Sequence, residues 1–223
     1  MDERIKGIVI KLTDYKEADK LASIFSLEKG MMFTKFVGVK RDKAKYKSIA
    51  QPFVFADFTL NKKGNNYTIT NADVIDTFPK IMSDYNKTIC GYIILDIIYS
   101  ILPKEKPEPE LFALTISALK SIEETDEFNA TIDYILKFIS FSGMGLEFAD
   151  TNYIYFDALS GNFTTTREIG SVQIDNKVYG LLKAINQSQI VQINQTTQKQ
   201  ALRFLHNVIY AKFNEDIKSF QFI

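Results

Sequence analysis

The chain holds one cysteine, Cys90, and one histidine, His206, in 223 residues. A single cysteine excludes an intramolecular disulfide, and thiol catalysis there needs a basic partner that the apolar surroundings of Cys90 do not supply. A structural zinc site takes four ligands, usually Cys or His, so the sequence predicts no zinc, and no other cofactor is expected. Catalytic patterns are missing as well. There is no phosphate loop ending in Gly-Lys-Ser/Thr, no zinc-protease motif and no serine elbow, and Gly143-Met144-Gly145-Leu146-Glu147-Phe148 misses the dinucleotide pattern at its last glycine. The carboxylates Glu123, Glu124, Asp126 and Glu127 fall between two helical patterns, where solvation and helix capping are their expected work. No catalytic residue is assigned, and the protein is read as a non-enzyme. Long hydrophobic runs are also lacking: Ile89 to Leu102 is too short to span a bilayer and carries Asp96, so it is predicted to be a buried helix that encloses Cys90. Met1-Asp2-Glu3-Arg4 leads straight into a strand pattern, no leader is predicted, and a cytoplasmic protein is the expectation.

What is present is basic charge in one place. The chain is neutral overall, yet between Lys29 and Lys63 nine basic residues face only Asp42 and Asp57. Residues 1–80 are net basic and residues 81–223 net acidic by the same amount, which favours two domains divided there. The run Lys40-Arg41-Asp42-Lys43-Ala44-Lys45-Tyr46-Lys47 follows an apolar strand pattern, which places its cations on a loop at the rim of a β-structure, within reach of phosphates. The plainer reading of such a run is a solvated edge. A single-strand binder also needs flat side chains for unstacked bases. Phe33, Tyr46 and Tyr67 lie nearest the cations; strand alternation assigns Phe33 to the core, leaving Tyr46 as the better stacking residue.

Strand patterns cover 4–10, 21–27, 31–39, 52–60 and 67–70, with Glu28-Lys29-Gly30 suited to a three-residue hairpin loop. Five strands joined by short connections suggest a small closed barrel, with the OB-fold as its natural form. From Ser83 onward the period becomes helical, over 83–102, 108–123 and 126–141, and again around 197–213. His206 falls in the last of these and is read as an ordinary helix residue beside the apolar face of Leu202, Leu205 and Ile209. Between them, 152–166 reads as a hairpin. The fold class is therefore α+β: an N-terminal five-stranded OB-fold barrel, then a mainly helical C-terminal domain with a small zinc-free hairpin.

Six segments in series resemble the RecO family of bacterial recombination-mediator and DNA-repair proteins. They are Lys6-Gly7-Ile8-Val9-Ile10-Lys11, Asp14-Tyr15-Lys16-Glu17-Ala18-Asp19-Lys20-Leu21, Phe25-Ser26-Leu27-Glu28-Lys29-Gly30, Lys35-Phe36-Val37-Gly38-Val39-Lys40-Arg41, Gln51-Pro52-Phe53 and Pro109-Glu110-Leu111-Phe112. The resemblance implies an OB-fold that binds single- and double-stranded DNA, a helical domain that contacts partner proteins, strand annealing without nucleotide hydrolysis, and cooperation with RecR in helping RecA replace single-strand-binding protein. It maps the family's basic positions onto Lys35, Lys40 and Arg41, which Lys43, Lys45 and Lys47 extend, with Tyr46 among them. Many members also carry a cysteine-rich zinc ribbon in the C-terminal domain. Residues 145–185 contain no cysteine or histidine, so the hairpin must be held by apolar side chains such as Tyr153, Ile154, Tyr155, Phe156 and Phe163.

The resemblance further implies that the helical domain takes the acidic, aromatic-ended tail of single-strand-binding protein. Lys120, Lys137, Lys199 and Arg203, each on a predicted helix beside apolar residues, are the cations proposed for it. From the residues alone, an OB-fold that binds RNA or serves as a protein scaffold stays open, because lysines meet phosphate in either polymer.

Overall fold

The computed structural model describes residues 2–148, 154–157 and 160–223. Five strands, β1 (Asp2–Tyr15), β2 (Asp19–Ser26), β3 (Gly30–Phe36), β4 (Phe55–Lys63) and β5 (Asn66–Asp76), close into a barrel in the order β1-β2-β3-β5-β4. All neighbours are antiparallel except β3 and β5, which meet in parallel at Thr34/Tyr67 and Lys35/Thr68. This is the five-stranded barrel of an OB-fold. Alternation along the strands fills its interior with Ile5, Val9, Ala22, Ile24, Met32, Phe36, Ala56, Phe58, Leu60 and Ile69. Phe36 and Phe58 meet there edge to face, centroids 6.4 Å apart.

The strands run further than the sequence pattern shows, and two of the expected ends move. Pro52 has no N–H for a ladder and Phe53 takes a φ of +68°, so β4 starts at Phe55 rather than at residue 52. At the other end of the same connection Gly38 (φ +68°) turns the chain after Phe36, its N–H held by Asp19 Oδ1 at 2.7 Å, so β3 stops short of Val39. β1 pairs with β4 over Asp2–Ile8 and with β2 over Gly7–Tyr15, with a bulge between Val9 and Lys11 in the second ladder.

The β2–β3 turn is three residues long, closed by the Ser26/Gly30 pair, with Gly30 at φ +67°. A strap of residues 102–108 crosses it: Lys104 bridges Met31 in parallel, and the Glu105 N–H donates to the Met31 carbonyl at 2.9 Å. A Cβ on Gly30 would stand 1.9 Å from the Lys106 carbonyl oxygen. Gly30→Ala is therefore expected to cost about 2 kcal/mol from left-handed backbone strain alone. A urea-unfolding midpoint equal to that of the unaltered protein would count against this close approach.

After the barrel come α1 (Pro79–Ser83), α2 (Tyr85–Ile101), α3 (Pro109–Glu124) and α4 (Glu127–Phe141). Asp126 caps α4 by accepting the Asn129 N–H, the work expected of that acidic cluster. Cys90 lies fully buried in α2, and burial pushes its thiol up to about 12, far from a reactive thiolate. Next, β6 (Tyr155–Asp157), β7 (Asn162–Thr164) and β8 (Val172–Gln173) form a small sheet in the order β7-β6-β8. The expected hairpin is its β6–β7 part. Ile154, Phe156 and Phe163 take part in its packing, while Tyr153 lies outside the described residues. Two helices follow, α5 (Asn176–Asn186) and α6 (Gln195–Phe213), then a 3-10 turn, Lys218–Phe222. His206 is on α6, stacked on Phe220 at 4.6 Å with its Nε2 3.0 Å from Asp216.

By packing, the chain forms two compact units. One takes in Met1–Pro79 and Leu95–Ile116, the other Lys80–Ile94 and Ser117–Ile223. No described helix is long and apolar enough to cross a membrane.

Candidate nucleic-acid interface

The basic run belongs to the turn-rich β3–β4 connection, residues 37–54. Its chain is pinned from below by apolar side chains: Val39, Ala50 and Val54 enter the barrel core, and Tyr46 and Ile49 pack against it. Backbone bonds hold its path. The Lys40 N–H donates to the Ala18 carbonyl at 3.0 Å, Ala44 to Arg41 at 3.1 Å and Ala50 to Tyr46 at 2.9 Å. With the apolar residues turned inward, Lys40, Arg41, Lys43, Lys45 and Lys47 are all left exposed.

These cations are not equivalent. Lys40 is tied to Asp14 at 3.0 Å, and Lys45 reaches Asn71 Oδ1 at 3.4 Å. Arg41, Lys43 and Lys47 form no ion pair with a described residue, so their charge faces solvent. Lys35, half-buried on β3, lies 5.1 Å from the Tyr15 ring centroid. Tyr46 is the anchor of the segment. Its ring is half-buried against the core, with the Lys45 ammonium 5.0 Å from its centroid, and its hydroxyl donates to the Thr70 carbonyl on β5.

Phe33 departs from its expected place. It points outward from β3 and is 42% exposed, because the inward positions of that strand are Met32, Thr34 and Phe36. The Lys104 ammonium from the strap lies 5.0 Å from its ring centroid. Two similar pairs were not visible in the sequence: Lys11 with Tyr99 at 4.4 Å, and Lys16 with Tyr15 at 5.4 Å. Strand register could have placed Lys11 and Phe33 on one face, but nothing in the sequence brings residues 99 and 104 to it. On β5, Tyr67, which pairs with Thr34 of β3, is flanked by Lys29 at 5.2 Å and Lys62 at 5.4 Å. Lys29 also pairs with Glu3 at 2.6 Å, and that bond holds the Glu3 carboxyl below its usual value and raises Lys29 above its own.

The four cations expected on the helices have separate surroundings. Lys120 is exposed on α3, Lys199 lies 5.5 Å from the Phe128 ring centroid, and Arg203 donates to the Ile223 carbonyl at 2.8 Å. Lys137, paired with Asp133 at 2.7 Å, borders a groove, about 690 Å³, between α4 and the segment from Ile185 to Ile193. Asn129, Ile190 and Val191 also line it. Among the described residues, no three His, Cys, Asp or Glu side chains come together as metal ligands.

Comparison with known proteins agrees with this architecture. The recombination protein O N-terminal family matches residues 1–78, and the recombination protein O C-terminal family matches residues 82–219. A DNA repair protein RecO from Clostridium novyi (strain NT) is 25% identical over 236 residues, spanning 98% of this chain and 92% of its own. One from Bacillus cereus (strain AH187) is 24% identical over 230 residues, spanning 96% and 92%. A third, from Desulfitobacterium hafniense (strain Y51), is 28% identical over 137 residues, spanning 61% and 50%.

Proposed function

The chain belongs to the RecO family of DNA repair proteins, and from that premise we propose that it binds single- and double-stranded DNA through the basic β3–β4 connection and anneals complementary strands without hydrolysing nucleotide. The observation that carries this is the arrangement of that connection: apolar side chains fix its backbone to a rigid barrel while Arg41, Lys43 and Lys47 stand free of intramolecular ion pairs among the described residues. Cations on a fixed backbone meet the phosphates of any sequence, as annealing requires. Lys35, Lys40 and Lys45 extend the patch, and Tyr46 holds it in place. The working location is the cytoplasm, at the nucleoid. A strand-annealing assay without ATP tests the proposal: the protein accelerates pairing of complementary strands, bare or coated with single-strand-binding protein. No acceleration in either case would refute annealing, and preference for RNA in a matched competition would move the assignment to RNA.

Within the same reading, residues 1–80 serve the nucleic acid and residues 81–223 the protein partners, RecR and the tail of single-strand-binding protein, with RecA served indirectly. The groove beside Lys137 offers an aromatic side chain an apolar wall from Ile185, Ile190, Val191 and Ile193, but its rim also carries Asp126 and Asp133, so an acidic tail has to draw Lys137 away from Asp133. Because Leu95–Ile116 packs with the barrel, the test uses the whole chain rather than a fragment from residue 81. Titration of a labelled tail peptide is expected to show binding that Lys137→Glu weakens about tenfold, as loss of a charged rim contact and gain of repulsion would. Equal affinities would remove Lys137 from the site; the same titration with Lys120→Glu, Lys199→Glu and Arg203→Glu ranks the other three.

A further inference from the structure

A polar cleft of about 450 Å³ opens in the C-terminal unit, between Gly143, Gly145 and Glu147 after α4, Gly161 and Asn162 of the β6–β7 turn, and Lys212 in the last turn of α6. Neither DNA nor the protein partners need it. The β6–β7 turn is fixed from within, since the Gly161 N–H donates to the Asp157 carbonyl at 2.8 Å and the Ser160 N–H to an Asp157 carboxylate oxygen at 3.0 Å. Gly161 has a φ of +70°, and a Cβ on it would stand 2.7 Å from Lys212 Nζ, 3.2 Å from its Cε and 3.5 Å from its Cγ. The lysine stem therefore lies along bare backbone, where any larger residue would push it away.

This placement leaves the Lys212 amine half-buried at the cleft, with neither an ion pair nor a hydrogen bond to a described residue. Glu147 lines the same cleft without pairing with it. Burial holds the amine below the ordinary lysine value, because no carboxylate stands by to favour the charged form.

We propose that Lys212 is a site of covalent acylation, at which a small acyl phosphate enters the cleft and transfers its acyl group to Nζ. The proposal is independent of the DNA-binding reading. A lysine is a nucleophile only as the neutral amine, and desolvation without a counterion raises that fraction near neutral pH. The ammonium first gives a proton to water. The nitrogen lone pair then attacks the acyl carbon, the carbon–oxygen bond to phosphate breaks, and inorganic phosphate leaves with the bonding electrons and takes up the surplus nitrogen proton. An amide remains, so a neutral group replaces an uncompensated charge where α6 meets the β6–β7 turn.

The experiment treats the whole chain with acetyl phosphate near neutral pH and follows each lysine by mass spectrometry, in the folded protein and in concentrated urea. Lys43 and Lys120, both exposed, are the references. In the folded protein Lys212 is expected to acquire the acetyl group about threefold faster than either, the advantage of a desolvated amine. In urea the three react alike. The lead in the folded protein also narrows as the pH rises toward about 10, where exposed amines lose their protons too. A Lys212 rate no higher than theirs in the folded protein, or a lead that survives in urea or at high pH, overturns the proposal.

Discussion

Replacing Lys40, Arg41, Lys43 and Lys45 together by Glu removes most of the affinity for single-stranded DNA and leaves the barrel folded. The unaltered protein sets the scale: if about five phosphates are neutralised, a slope of roughly −0.7 per contact gives about a hundredfold loss of affinity between 50 and 200 mM salt. The fourfold charge reversal should cost at least as much at 50 mM salt, because each change deletes an attraction and adds a repulsion. It should also flatten the salt dependence, which distinguishes loss of phosphate contacts from loss of shape. Folding is spared because the four side chains are exposed, while the segment is held by Val39, Tyr46, Ile49, Ala50 and Val54, none of them altered. Lys40→Glu does set a carboxylate beside Asp14, but at an exposed site that repulsion is weak. A variant with an unchanged urea midpoint and unchanged DNA affinity would exclude the connection as the binding site. Arg41, Lys43 and Lys47, free of ion pairs to described residues, should dominate when the cations are replaced singly, ahead of Lys40.

The barrel was legible because a half-buried strand writes its register into the sequence. Met32, Thr34 and Phe36 alternate with outward residues on β3, and Ala56, Phe58 and Leu60 do so on β4. The same alternation, read in the other phase, sent Phe33 inward; both phases of that strand are rich in apolar residues, and only the pairing of Ser23 with Phe33 settles which faces the core. The helix α5 was missed although Asp175 caps it and Val178, Leu181, Leu182 and Ile185 mark one face. Its eleven residues follow a stretch of short strands and precede a polar, Gln- and Asn-rich segment, so the periodic signal is brief. The basic connection was visible as charge. What held it was not, since Tyr46 sits among lysines and gives no local sign that its hydroxyl reaches the Thr70 carbonyl on β5. The rings of Tyr99 and the cation of Lys104 were beyond any local pattern, for they come to the β1-β2-β3 face from a segment some 70 to 90 residues away from their partners.

Truncating Phe156 to Ala is expected to unfold the small C-terminal sheet at far lower denaturant, while a chelator does nothing. In relatives with a zinc ribbon, metal–ligand bonds would hold such a hairpin; this chain has one Cys and one His in all, too few for a closed tetrahedral site. Aromatic packing is there instead. Phe156 on β6 is almost fully buried and meets Phe163 of β7 at 5.9 Å and Phe204 of α6 at 5.2 Å, both edge to face. Phe163 in turn reaches Tyr179 of α5 at 5.0 Å, Phe148 at 5.2 Å and Phe204 at 5.9 Å, so one cluster ties the sheet to two helices. Phe156 is the most buried ring of that cluster on the sheet itself. A buried Phe→Ala change costs about 3–5 kcal/mol, and this one also removes two favourable ring contacts. That is a large fraction of the stability of an ordinary domain, so the urea midpoint should fall steeply. Phe156→Leu, which keeps most of the volume, should lose much less. The unaltered protein should carry no stoichiometric zinc, and a chelator wash should leave its midpoint unchanged. If stoichiometric zinc survives the wash, or if Phe156→Ala unfolds at the normal midpoint, the sheet is not held by its aromatic cluster.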